Sequence, residues 1–516
     1  MNNYNNAKNL TSNRILVLIW SIFIGILSGI VVVLYRLLLG NAEKYSFYLY
    51  NILRNNIKWT PLYLLVLCIL GYFIGHLVSK NSMISGSGIP QVKGIIMGYF
   101  KNNWLSTLIK KFIAGTLGIL GGLSLGREGP SIQLGACVAE GLSKKYKGSR
   151  MEKKILIASG ASAGLAAAFN APLSGVVFAL EEVFKYFSPL ILMSTMTSAI
   201  IADFISKEIF GLSPIFNFNV SGAIPLNSYY LLIILGIILG VLGCFFNYII
   251  LKVQKFYKKL NFIPKKALPI IPLVFALVFG IFYPVVLGGG HRVIEEINLS
   301  TGATILISIF ILKFLFSMIS FGSGAPGGIF FPLLILGALI GGIFAAFCVN
   351  FLGYESVYYY NFVIIAMAGY FTAIVRAPIT GIILITEMTG SFQHLLSLGV
   401  VCITSYIVAE SLKSIPIYDS LLENQLKDKN LFFNEIEDSK KIMIDSIVHY
   451  GSKISNKKVK DIKWPKRVLL LSIKRMDNEI IPNGDTVIKE GDYLLFLTDT
   501  HNEYTAKEHI LKITSS

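Results

Sequence analysis

Glu128 stands in the stretch GREGP (Gly126–Pro130), between two long apolar runs, and Glu181 and Glu182 close another apolar run in FALEEV (Phe178–Val183). A carboxyl group in such surroundings is costly, and one that persists usually marks an ion pathway or a proton relay. The chemistry open to these acids is proton uptake and release away from bulk water. Ser87 places a hydroxyl inside ISGSGIP (Ile84–Pro90), again in an apolar setting. A neutral donor there suits an anion that must be held and then let go, since conduction requires binding weak enough to leave.

Groups of this kind need a scaffold that carries them to membrane depth. The 516-residue chain is 54% hydrophobic and only 15% charged, with a mean hydropathy of +0.65, far from the roughly 25% charged residues of a soluble domain. Runs long enough for a bilayer recur, among them Ile15–Tyr35, Pro61–Val78 and Tyr229–Leu251. Each approaches the roughly 20 residues that the hydrocarbon core requires. The fold class expected is an all-α polytopic membrane protein. The polar N-terminus followed by an overlong apolar run, with no small-residue cleavage site, reads as a retained first helix rather than a secretory signal. Cys68, Cys137, Cys244, Cys348 and Cys402 are scattered through apolar segments and suggest neither disulfides nor a metal site. The six histidines have no metal-ligand spacing and no nucleophile–base pairing is evident, so neither a cofactor nor an enzyme activity is expected.

Charge separates two parts of the chain. The first 430 residues carry 32 Lys+Arg and 16 Asp+Glu, whereas the last 86 carry 14 and 13, so almost all of the net +17 belongs to the apolar part. The basic residues cluster in short connections such as Lys144–Lys154 and Lys252–Lys266. That pattern follows the positive-inside rule and places these connections in the cytoplasm, along with both termini; it does not indicate a nucleic-acid partner.

An internal repeat organises the apolar part. GREGPSIQLGA (Gly126–Ala136) lies over GIFFPLLILGA (Gly328–Ala338), and NAPLSGVVFALEEV (Asn170–Val183) over RAPITGIILITEMT (Arg376–Thr389), at offsets of 202 and 206 residues. Two repeats are expected, about 13–210 and 227–412. Transporters are often built this way, with binding sites at the repeat interface formed by discontinuous helices. Gly and Pro interrupt the apolar segments at ISGSGIP, GREGP and GSGAPGGIFFP (Gly322–Pro332), and Pro130, Pro172, Pro332 and Pro378 open new ones. Irregular backbone at that depth is tolerated only within protein or beside a watery cavity. Converging helix N-termini, with free N–H groups and a positive dipole end, form an anion site.

Beyond Leu431 the pattern changes to short β-rich runs (VLLLSIKR, TVIKEGDYLLFLT) separated by turn signals such as PNGD, closed by one helix in EYTAKEHILKIT. A small soluble α/β domain over 438–516 is expected, joined through the charged stretch Glu423–Asn430.

GSGIP (Gly86–Pro90), GREGP and GGIFFP (Gly327–Pro332) resemble, in order and spacing, the three signature motifs of the CLC chloride channels and transporters, over roughly residues 13–430. The resemblance implies a homodimer whose subunits each hold an anion pathway within an inverted repeat. It makes Glu128 the gating glutamate, whose carboxylate imitates an anion at a helix N-terminus. Ser87, the amides of Ile329 and Phe330, and Tyr418 of SIPIYDSLL (Ser414–Leu422) become the anion-binding groups. Glu182, the second acid of its pair, becomes the internal proton-transfer glutamate, favouring H⁺/Cl⁻ antiport over a passive channel. Glu181 aligns with Glu387 and reads as a structural acid, whereas Glu182 aligns with Met388. Arg127 is expected to bond backbone carbonyls. Ser87 and the intact GREGP favour chloride over nitrate or fluoride, and Gln91 departs from the glutamate of many relatives. The tail, through Ile480–Leu497, resembles the C-terminal TrkA-type (RCK_C) domain, implying a small cytoplasmic ligand or a dimer-stabilising role. A fluoride exporter and an RCK-regulated cation transporter are the remoter alternatives; a TVGYG-type filter is absent from the sequence.

Overall fold

The structure, a computed structural model, describes residues 2–515 except 186, 217, 219–221, 429–440, 466, 476–477 and 500–502, without the side chains of 2–13, 295, 499 and 503–505. It divides into two compact units, Met1–Glu423 and Asn424–Ser516. The expected junction between residues 430 and 438 lies outside the described residues.

The first unit is helical. In chain order it contains α1 (Asn2–Asn55), α2 (Thr60–Lys80), α3 (Ile89–Met97), α4 (Trp104–Leu120), α5 (Glu128–Ser143), α6 (Arg150–Phe169), α7 (Pro172–Phe178) and α8 (Pro189–Phe210). A second set follows: α9 (Tyr229–Lys259), α10 (Ile270–Phe282), α11 (His291–Glu296), α12 (Ala303–Gly322), α13 (Phe330–Leu352), α14 (Tyr359–Val375), α15 (Pro378–Thr389), α16 (Leu395–Ser411) and α17 (Ile417–Asp428). Eight helices among the described residues are long and apolar enough to cross a membrane. The apolar window of α14 is 83% buried and that of α2 only 22%, so the former is core and the latter turns its apolar side chains outward.

Three boundaries differ from the sequence expectation. The first helix does not stop at Tyr35 but runs to Asn55; no proline interrupts it, and Gly40 alone does not break a helix. From Arg14 onward its 42 residues extend about 63 Å, well beyond a bilayer core. The basic connections are partly helical: α9 continues through Lys259, and Arg150 opens α6, where Ser149 and Glu152 form a reciprocal capping box. Helices α5 and α13 begin two residues ahead of Pro130 and Pro332, which puts Glu128 and Phe330 in first-turn positions.

The repeat extends beyond the two aligned stretches. Lys111 Nζ donates to Ile84 O (2.9 Å) and Gly86 O (2.6 Å), and Lys313 Nζ donates to Val286 O (3.0 Å) and Gly288 O (2.8 Å). Gly86 and Gly288 share φ +62°, and Gly88 and Gly290 have φ +101° and +111°, a left-handed conformation that glycine adopts without Cβ strain. GSGIP in one half and GGGHR (Gly288–Arg292) in the other are the same loop, each pinned by a buried lysine.

The second unit is a four-stranded antiparallel sheet in the order β1-β4-β2-β3, with β1 at Lys441–Ile447, β2 at Val468–Arg475, β3 at Asn478–Ile480 and β4 at Tyr493–Asp499. Helix α18 (Glu503–Thr514) packs on β1 and β4. Alternation supplies the core: Ile444, Ile473, Leu494, Phe496 and Ile510 are buried together. The expected strand TVIKEGDYLLFLT is strand only from Tyr493; ahead of it, buried Asp492 accepts from Arg475 Nε and Nη2, both at 2.7 Å, and from Lys489 N at 2.8 Å. These bonds hold Lys489–Asp492 in a turn.

Candidate functional site

The two repeats meet through their glycines. Gly126 and Gly328 exchange backbone hydrogen bonds, N–H to O=C at 2.6 and 2.7 Å, as an isolated antiparallel bridge. This two-bond clasp sets the N-termini of α5 and α13 against each other. Gly86 reaches the same junction: its amide donates to Gly324 O (3.3 Å), and its carbonyl accepts from Gly327 N (3.0 Å). GSGIP, GREGP and GGIFFP, up to 246 residues apart in the chain, therefore form one cluster of irregular backbone.

Glu128 is the first residue of α5 and fully buried. Among the described residues neither carboxylate oxygen has a full hydrogen-bond partner; the amides facing it belong to Glu128 itself, Phe331 and Arg127. The acid thus sits at the open ends of two helices, where an anion is favoured. Gly126 is required for this placement, because a Cβ there would stand 2.5 Å from Glu128 Oε2 and 3.1 Å from Pro332 Cδ. Arg127 does not bond backbone carbonyls as expected. Its Nε lies 3.7 Å from Glu128 Oε1 and has no hydrogen-bond partner among the described residues.

Ser87 is 3% exposed, and its hydroxyl has no partner among the described residues. It lies against the first turn of α5, since a Cβ on Gly129 would approach Ser87 Oγ to 2.4 Å. Gln91 Nε2 donates to Ser85 O at 2.7 Å, a bond that the ionised glutamate of many relatives could not make. Ile329 is the N-cap of α13 and Phe330 its first residue, so their amides have no acceptor within the helix. The Phe330 ring packs on Phe169, Phe178 and Phe371 at centroid distances of 5.3, 6.0 and 4.7 Å. Phe178 in turn meets Tyr418 edge-on at 6.5 Å. Tyr418 is fully buried with an unpaired hydroxyl, unlike an interfacial belt tyrosine. Buried polar groups are nearly always bonded, so unpaired hydroxyls at Ser87 and Tyr418, near helix ends with free amides, describe a place for a polar guest. The donors fit an anion.

Glu181 and Glu182 part company. After α7 the helix widens into a π-turn (Ala179–Phe184). Glu181 accepts from the amides of Ile379 (3.2 Å) and Thr380 (2.8 Å) and from the Thr380 hydroxyl (2.7 Å), capping α15. Glu387 does the same for α7, accepting from Leu173 N (3.0 Å), Ser174 N (2.8 Å) and Ser174 Oγ (2.5 Å). The halves thereby exchange acids. Glu182 points elsewhere and accepts from buried Lys93 Nζ at 2.9 Å; Lys93 also donates to Asp419, which accepts from Lys185 Nζ at 2.6 Å.

On another side of Glu128 a cavity of about 20 Å³, room for about one water, is lined by Glu43, Arg127, Glu128, His291 and Phe331. Arg127 and His291 also line an open cleft of about 360 Å³ with Arg36, Lys44 and Asn170. Arg127 and His291 thus border both the small cavity beside Glu128 and the basic cleft.

Lys93, Asp419, Lys111 and Lys313 escaped sequence reasoning. The available signal was a lone charge in an apolar stretch, as in IPQVKG and ISIFILKFLF, the same signal that drew attention to Glu128.

Two repeats clasped at the ends of broken helices, with unpaired hydroxyls and carboxylates at the junction, define a membrane ion-transport protein of the discontinuous-helix kind. The chain belongs to the voltage gated chloride channel (CLC) family, whose profile matches residues 70–410, and its tail matches the TrkA-C domain over residues 443–510. It is 36% identical, over 375 residues, to the H⁺/Cl⁻ exchange transporter ClcA of Vibrio parahaemolyticus, spanning 71% of this chain and 79% of that protein. The crystal structure of a slow cyanobacterial Cl⁻/H⁺ antiporter superposes with a TM-score of 0.73 at 31% identity, covering 80% of this chain and 99% of that one. A CLC-type fluoride/proton antiporter shares the fold, with a TM-score of 0.66 at 24% identity, covering 78% of this chain and 96% of that one.

Proposed function

We propose that the protein exchanges chloride for protons across a bacterial plasma membrane, as a homodimer with both termini in the cytoplasm. Ser87, Tyr418 and the amides of Ile329 and Phe330 hold the anion. Glu128 is the gate: ionised, it occupies the helix ends that an anion would take; protonated, it loses that attraction and yields the place. Glu182 is the internal acid that supplies and receives the proton. The carrying observation is the pair of buried carboxylates, Glu128 at the clasped helix ends and Glu182 on Lys93, with the buried hydroxyls of Ser87 and Tyr418 unpaired among the described residues. Anion and proton occupancy are coupled because each carboxylate's charge opposes an anion beside it. The TrkA-type domain is a regulator that binds a small cytoplasmic ligand.

A passive chloride channel is the second reading. The ion pair between Lys93 and Glu182 favours it, because it gives Glu182 a purely structural use. Proteoliposomes loaded with chloride at equal internal and external pH, with voltage clamped by potassium and valinomycin, separate the two. Exchange drives protons uphill as chloride flows, and Glu128→Gln abolishes that movement. Chloride flux with no proton movement in the unaltered protein establishes the channel.

A further inference from the structure

Glu182 is 2% exposed and has no direct opening to solvent, so an acid that exchanges protons there needs an intermediary. Lys93 Nζ occupies that position. Its side chain is 1% exposed, it donates to Glu182 Oε1 at 2.9 Å, and it also donates to Asp419 Oδ1. Asp419 reaches outward, with a side chain 28% exposed, and its other oxygen accepts from Lys185 Nζ at 2.6 Å, itself 42% exposed. Burial falls steadily from Glu182 to Asp419 to Lys185. The cluster is an unbroken line of hydrogen bonds from a sealed acid to a wet one, with a single amine between.

Resting on the assignment of Glu182 as the internal proton acid, we propose that Lys93 and Asp419 form the relay that loads it from the cytoplasm. Asp419 takes a proton from hydronium at the cytoplasmic side, leaving water. The Lys93 ammonium gives one N–H proton to Glu182 Oε1, leaving a neutral amine, and that amine recovers a proton from the Asp419 acid at Oδ1. One O–H bond forms on Glu182 and one is lost from Asp419; Lys93 ends as it began, and no electron changes hands. The resting cluster of Lys93, Lys185, Glu182 and Asp419 sums to zero charge. A proton therefore passes through without any state exceeding one unit, which limits the cost of charge in a buried site. Lysine suits the role chemically, because an ammonium can pass a proton on and take one back, whereas an arginine guanidinium stays protonated in proteins.

That contrast supplies the test. Full-length protein is reconstituted in vesicles, and chloride efflux and proton uptake are read in parallel for Glu182→Gln, Lys93→Met, Lys93→Arg and Asp419→Asn. The relay requires Lys93→Met and Lys93→Arg both to lower proton uptake at least about a hundredfold, the scale of a lost proton-transfer group, while chloride efflux persists. Asp419→Asn should lower uptake less, about threefold, because its site is wet enough for water to substitute. Retained proton uptake in Lys93→Arg overturns the relay and leaves the lysine as a fixed charge that positions Glu182. Parallel loss of chloride efflux in the Lys93 variants also overturns it, as a structural role. Retained uptake in Glu182→Gln would instead remove the underlying assignment, an outcome distinct from both.

Discussion

The two halves of the membrane unit are built alike and used differently. Each pins a glycine loop with a buried lysine, each starts a central helix with a proline at its third position, and each lends a glutamate to cap the other's helix. At the positions proposed to bind an anion or carry a proton, and at Arg127 beside Glu128, the match fails. Glu128 corresponds to Phe330, Arg127 to Ile329, Ser87 to Gly289 and Glu182 to Met388. Scaffold residues obey the symmetry; the proposed functional residues break it. A single sequence with a repeat therefore carries its own internal control, and chemistry is to be sought where the copies disagree.

Breaking the comparison at its strongest point means removing the charge that only one half possesses. Glu128→Gln should abolish chloride-driven proton movement altogether and leave chloride flux insensitive to pH, because nothing remains at the helix ends to titrate; parallel flux and pH recordings check this. Next, Lys111→Met and Lys313→Met each strand two buried carbonyls, at a cost of about 3 kcal/mol of stability apiece. Thermal denaturation in detergent should show similar losses for the pair. Isothermal titration with chloride should separate them, because only the Lys111 loop carries Ser87. Ser87→Ala should weaken chloride binding by about 1.5 kcal/mol, on the order of tenfold, from one lost bond to a charged guest. Gly289→Ala, its counterpart, should leave binding unchanged: a Cβ there meets only ordinary contacts, the nearest at 3.4 Å from Phe331.

Much of this architecture was legible in the sequence because Gly and Pro interrupt apolar runs at membrane depth, and such interruptions have few uses there. The repeat, the motif residues and the closing helix Glu503–Thr514 were readable from local pattern. The long first helix was not, since nothing in residues 36–55 marks either its continuation or its end. Long-range pairs were hidden as well. Lys93 and Asp419 are 326 residues apart, and no periodicity in either segment points to the other. The crossing of Glu181 and Glu387 was half visible: their alignment suggested a shared structural role, but which helix each one caps required three dimensions. The orientation of Arg127 is not encoded locally: the start of α5 turns it toward Glu128 rather than toward backbone carbonyls.

The most direct measurement sets neighbouring acids against each other. Glu181→Gln and Glu182→Gln differ by one position; the first acid has a symmetry mate and the second has none. Chloride and proton fluxes recorded together in vesicles should show both intact in Glu181→Gln, with at most about 2 kcal/mol of stability lost from a weakened helix cap. In Glu182→Gln proton movement should vanish while chloride flux continues. Matching proton flux in the two variants, whether retained or lost, would contradict the division between symmetric scaffold and asymmetric chemistry.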